Sequence, residues 1–118
     1  MKKIYISADM EGITGVSTWD ETEHPKPEFD RFRKIMTDEV NAAIEGAFEG
    51  GATEVLVNDS HNSMRNILIE CLHPRAALIS GNVKRLSMVE GIDESFDGVF
   101  FLGFHSASGT LNSILDHT

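Results

Sequence analysis

The densest chemistry in the chain is the hexapeptide Ser7-Ala8-Asp9-Met10-Glu11-Gly12, where two carboxylates stand two residues apart. In extended chain such residues point to the same side, so Asp9 and Glu11 are expected to face one point. Two acids held together at neutral pH repel, and a cation, a shared proton or a nearby arginine must compensate. Two histidines close further polar clusters: His61 ends Asn58-Asp59-Ser60-His61, and His105 ends Gly103-Phe104-His105. Asp, Glu and two His form a ligand set for zinc or a similar divalent ion. A carboxylate can bridge two ions, and a two-metal site would activate a water for hydrolysis. His117 follows twelve residues after His105. A histidine there could move protons, because its pKa falls near the operating pH. The plainer alternative stands beside each reading: acids after a strand form turns and caps, and a histidine in a polar tail can be mere surface.

These residues converge only if the right elements carry them. Lys3-Ile4-Tyr5-Ile6-Ser7 reads as a strand, with β-branched and aromatic residues leading straight into the acids. Gly12 is expected to permit the turn that follows. A polar, irregular region runs from Thr14 to Pro27, with His24 a solvated loop residue and Trp19 the only tryptophan. A long helix is predicted from Glu28 to Glu49: Phe29, Phe32, Met36, Val40, Ala43 and Ala47 recur at spacings of three and four. Gly50-Gly51 ends it. Gly46, inside the helix, suggests close packing there.

Thr53-Glu54-Val55-Leu56-Val57 is the second strand, which makes a strand–helix–strand crossover. Short helices are predicted over Asn66–Leu72 and Leu86–Gly91, and His73 before Pro74 reads as structural. Ala76–Ser80 is a weaker strand. Val99–Leu102, apolar throughout, is expected to be a strand covered on both faces. The expected fold is α/β, a mostly parallel sheet sandwiched by helices, with a metal site at the carboxyl ends of the strands. No repeat or linker divides residues 1–118, so a single α/β domain is expected.

Composition narrows the function. A net charge of −9 and no basic stripe argue against binding a phosphate backbone, so no nucleic-acid partner is expected. No segment has transmembrane length and the N-terminus lacks a signal-peptide core, so no membrane partner and a cytoplasmic location are expected. Cys71 is the only cysteine, which excludes an intrachain disulfide, and it reads as a small buried hydrophobe. Neither G-x-x-x-x-G-K-[ST] nor G-x-G-x-x-G occurs, which removes those nucleotide cradles.

The chain resembles the D-aminopeptidase family of zinc peptidases. Ser7-Ala8-Asp9-Met10-Glu11-Gly12 matches the family's S-x-D-x-E-G signature, and Val57–His61, Ser80–Gly91 and Phe101–His105 match three further blocks in order. The resemblance implies that Asp9 bridges two zinc ions and that Glu11, His61 and His105 complete much of their coordination. His117 resembles the family's catalytic histidine. The implied reaction is hydrolysis of the bond after an N-terminal D-amino acid, with short peptides of the D-Ala-D-Ala type as substrates and ring-shaped homo-oligomers as the assembly. A further glutamate ligand of the family lies beyond the matched stretch. The second zinc site is therefore expected to be incomplete within these residues, and the chain to be the N-terminal part of a longer one. Two other readings stay open from the residues: a non-catalytic, metal-stabilised assembly module, and a two-metal phosphoesterase drawing on Lys84 and Arg85.

Overall fold

A computed structural model describes residues 2–118. Strand β1 (Lys3–Ala8) leads through the loop into helix α1 (Pro27–Glu49), which returns to strand β2 (Glu54–Asp59). Strands β3 (Ala77–Ile79) and β4 (Gly98–Leu102) complete a four-stranded, all-parallel sheet of order β3-β2-β1-β4. The fold is thus α/β, as expected.

Helix α1 starts with Pro27 at its first turn, where a missing N–H costs nothing, and stops at Gly50-Gly51, with Gly51 in the left-handed region at φ 101°. Its buried stripe of Phe29, Phe32, Met36, Val40, Ile44 and Ala47 packs into one core with Ile6, Ala8, Val55 and Val57 of the central strands. Space beside Gly46 is open, so the close packing expected there is absent. The two short helices predicted over Asn66–Leu72 and Leu86–Gly91 shrink to single 3₁₀ turns, Ile69–Cys71 and Ser87–Val89. Apolar spacing over so few residues cannot overcome the cost of helix nucleation. Cys71 is half-buried rather than fully enclosed.

Strand β4 also differs from expectation. It is the sheet edge, and Val99, Phe100 and Phe101 are exposed, Phe101 to 60%. An apolar run shows that a strand can be covered on both faces, not that these residues cover it. Among the described residues no helix is long and apolar enough to cross a membrane.

What the sheet does for the site follows from its register. Ser7 pairs with Asn58 and Phe101, and Ala8 with Asp59 and Leu102. The carboxyl ends of β1, β2 and β4 therefore lie side by side, with Asp9, His61 and His105 each a few residues beyond.

Candidate metal centre

Asp9 and Glu11 converge, but not through extended chain. Beyond Ala8 the backbone bends: Asp9 N–H donates to the Leu102 carbonyl at 2.8 Å, and Gly12 N–H to the Gly103 carbonyl at 2.8 Å. Those bonds lash the chain after β1 to the chain after β4. A β-carbon on Gly12 would stand 2.3 Å from the Phe104 carbonyl oxygen, so Gly12 serves close approach rather than the freedom of a turn. Asp9 and Glu11 are buried as a result, at 2% and 6% exposure.

His61 is equally buried. Its Nδ1 lies 3.2 Å from Asp9 Oδ1 and 3.0 Å from Glu11 Oε1. Its Nε2 lies 2.7 Å from the Thr22 carbonyl oxygen, which can only accept, so Nε2 carries the hydrogen and donates. The same device recurs twice. His105 Nδ1–H donates to the Ser106 carbonyl at 2.8 Å and leaves Nε2 3.5 Å from Asp9 Oδ2. His117 Nδ1–H donates to the Leu115 carbonyl at 2.8 Å and leaves Nε2 3.8 Å from Glu11 Oε1. Each histidine thus spends one ring nitrogen on a backbone carbonyl and turns the other, in its neutral form a lone pair, toward carboxylate oxygens. Lone pairs aimed at carboxylates repel unless a proton or a metal ion lies between them.

The electrostatics point the same way. Burial alone would lower the pKa of His61, but the bonds and charges of Asp9 and Glu11 outweigh it and push the imidazole up to about 10. Burial alone would raise Glu11, yet His61 pulls it down to about 2. Asp9 is raised, chiefly by burial, with the Glu11 carboxylate adding to the shift. Two carboxylates buried this close together need a positive group between them, which the protonated His61 ring or a cation can supply. Glu11 Oε2 is buried without any hydrogen-bond partner, an atom that a metal ion would satisfy. Two donor groups meet the geometry for an ion, Asp9–Glu11–His61 and Glu11–His105–His117, and they share Glu11. The residues fit a divalent metal.

The cluster lines a cavity of about 380 Å³ whose walls include Trp19, Glu23, Asn62 and Met88. Among the described residues no lysine or arginine lines it. Lys84, which the phosphoesterase reading needs, is committed elsewhere: its Nζ donates to Asn58 Oδ1 at 2.6 Å and to the Asp59 carbonyl at 2.7 Å. Arg85 is exposed and outside the cavity.

A family profile described as D-aminopeptidase matches residues 1–118. The chain belongs to the D-aminopeptidase family. It is 52% identical over 108 residues to a D-aminopeptidase of Bacillus subtilis strain 168, an alignment that covers 92% of this chain and 39% of the relative. Its fold superposes with a TM-score of 0.96, at 49% identity, on a solved structure described as the Zn-dependent D-aminopeptidase DppA from Bacillus subtilis, a self-compartmentalizing protease. That match covers 98% of this chain and 42% of the other. The chain therefore spans about two-fifths of the length of these relatives.

The loop from Ser17 to Lys26, expected only to be irregular, helps to build the site. Thr22 supplies the carbonyl that fixes His61, and the Trp19 ring meets His117 edge-on at 5.3 Å between centroids. The loop is tied rather than loose, because Glu21 accepts from the backbone N–H of Ser17 at 2.7 Å and of Thr18 at 2.9 Å. The available signal was Thr18 followed three residues later by Glu21, a capping box. Asp59, from the same polar run as His61, takes a structural role: its carboxylate accepts from Asn66 N–H at 2.6 Å and Ile67 N–H at 2.8 Å.

Proposed function

We propose that this chain carries the zinc centre of an aminopeptidase that removes N-terminal D-residues from short peptides of the D-Ala-D-Ala type. One observation carries the reading: three histidines, each oriented by a backbone carbonyl, present their other ring nitrogen to the Asp9–Glu11 carboxylate pair. Family membership supports this reading of the reaction and its stereochemistry.

Asp9, Glu11 and His61 would hold one zinc ion. Asp9 directs Oδ1 to His61 and Oδ2 to His105, so Asp9 and His105 would help to hold a second ion if one binds. Bound zinc supplies a Lewis acid that polarises the scissile carbonyl and makes water acidic. The remaining work belongs to the side chains. Glu23, which belongs to neither donor group, leaves one carboxylate of the cavity free to receive the ammonium of a peptide's first residue. His117 is the most exposed of the three histidines, with 36% of its side chain accessible against 6% for His61 and 10% for His105. It can therefore touch substrate, and Nε2 is the atom that takes up and returns the proton of the reaction. The description of the solved relative as self-compartmentalizing supports assembly into a homo-oligomer, in which identical subunits enclose the sites.

The test is metal content together with turnover. Elemental analysis should find zinc in the purified protein, lost in Asp9→Ala. Chelation should abolish hydrolysis of D-alanyl peptides reversibly, with L-alanyl peptides untouched throughout. A folded protein that takes up no zinc when it is offered would overturn the reading. Chelation that melts the fold, in a protein that never shows turnover, would favour the metal-stabilised assembly module.

A further inference from the structure

A second cavity, of about 560 Å³, adjoins the first, and Asn62 lines both. Its chemistry is opposite. Arg33, Arg65 and His24 line it together with Asn62, Ser63 and Asn66, and no acid does. This is unusual in a chain with 19 acidic residues against 10 lysines and arginines. Neither guanidinium lies within ion-pair distance of a carboxylate among the described residues.

The two arginines are placed by different means. Arg33 stands half-buried on α1, where its Nε donates to the Asn66 carbonyl at 2.8 Å and one Nη to the Arg65 carbonyl at 3.5 Å. A guanidinium has five N–H donors in a planar fork, so three stay available for a ligand. Arg65 is exposed on the loop after β2, the loop that also carries His61. That loop is rigid. Asn66 Nδ2 donates to Asp59 Oδ1 at 2.9 Å and to the His61 carbonyl at 2.6 Å, while Asn62 and Met64 sit in the left-handed region at φ 46° and 60°. The separation between His61 and Arg65 is thereby set by one braced segment, to which Arg33 is tied from α1.

Planar guanidinium forks match carboxylates. We infer that the second cavity receives the C-terminal carboxylate of the peptide whose N-terminal ammonium lies in the acidic cavity. This inference rests on the aminopeptidase reading, and it names the substrate class: short peptides with a free C-terminus. Their two opposite charges fall on two opposite linings. An extended chain reaches about 3.3–3.6 Å per residue, so cavities that share Asn62 as a wall suit a short peptide.

The experiment compares D-alanyl-D-alanine with its C-terminal amide on the zinc-loaded protein, in wild type, in Arg65→Gln and in Arg85→Gln, an exposed arginine outside both cavities. Wild type should favour the acid over the amide by about tenfold in KM, the scale of one charge-assisted hydrogen bond. Arg65→Gln should erase that preference and Arg85→Gln should keep it. Equal KM values for acid and amide in wild type, or an equal loss for both peptides in Arg65→Gln, would overturn the assignment. If neither peptide is turned over, the aminopeptidase reading has failed, and calorimetric binding of the same two peptides decides this one. Acid bound more tightly than amide through Arg65 supports it; equal binding, or none, overturns it. Inorganic phosphate that binds through Arg65 without displacing the dipeptide would assign the cavity to a free anion and overturn it as well.

Discussion

Gly12 and Gly103 are interlocked across the ends of β1 and β4. The Gly12 N–H donates to the Gly103 carbonyl at 2.8 Å, and a β-carbon on Gly103 would stand 2.3 Å from the Asp9 carbonyl oxygen. This contact brings His105 up to Asp9. Alanine at either position should cost about 1–3 kcal/mol of stability through overpacking. Gly103→Ala should cost more, since its φ of 69° is also left-handed. Denaturant unfolding of both variants measures the cost, and zinc titration should show weakened uptake in each. A variant as stable as wild type with full zinc affinity would mean that the two segments need not touch.

The proton on His61 yields a pH prediction. With zinc chelated away, the pKa of about 10 keeps the ring protonated at neutral pH. Zinc needs the Nδ1 lone pair, so binding must expel that proton. Affinity should therefore rise with pH, about tenfold per unit for each proton released, and level off once pH passes about 10. Calorimetric titrations in buffers of different protonation heat count the protons. A count of zero near neutral pH would show that His61 is neutral before metal arrives.

Sequence pattern carried the scaffold well wherever one long period or one short run sufficed. Helix α1 begins and ends within a residue of the predicted span, because its apolar stripe, its proline and its glycines agree. Four residues of the cluster, Asp9, Glu11, His61 and His105, were legible as types following strand ends, and His117 as a histidine in the polar tail. Their convergence was expected for a reason the chain does not use: Asp9 and Glu11 meet through bonds to β4, not by strand alternation. Long-range closeness of this kind leaves little local trace, for Gly12 reads as a turn former until Phe104 is seen beside it. The exposure of β4 was illegible for a related reason. Apolar residues report what a strand tolerates, and Phe101 stays 60% exposed although the Phe104 ring meets it edge-on.

Trp19 closes one side of the histidine pair. The His105 and His117 rings stack at 3.4 Å between centroids, and the Trp19 ring meets His117 from another side. Truncating Trp19 to alanine should free His117 to rotate and lower kcat by about tenfold, the scale typical of residues that orient a site's working groups. Trp19→Phe should recover most of it by keeping an aromatic edge. Because Trp19 is the only tryptophan, its fluorescence should respond directly when zinc is added. An alanine variant with wild-type kcat would remove Trp19 from the positioning of His117.

Tyr5 offers a clean test of the packing beneath the site. Fully buried in β1, it donates its hydroxyl to the Glu90 carbonyl at 2.7 Å and meets the Phe96 ring edge-on. Burial, with the Glu90 charge adding to it, raises the phenol to about 12. The unfolded chain releases this proton near 10. Between the two values the folded state holds more protons than the unfolded one, so stability must fall as pH climbs through that window. Tyr5 is the sole tyrosine, so phenolate absorbance reports one group. Titration of the folded protein should show a midpoint displaced upward toward about 12, and in denaturant the ordinary value should return. Replacement by phenylalanine should flatten the alkaline loss of stability over the same window. An ordinary midpoint in the folded protein would mean that the segment around Glu90 opens readily and that the floor under Ser7 and Asn58 is not closed.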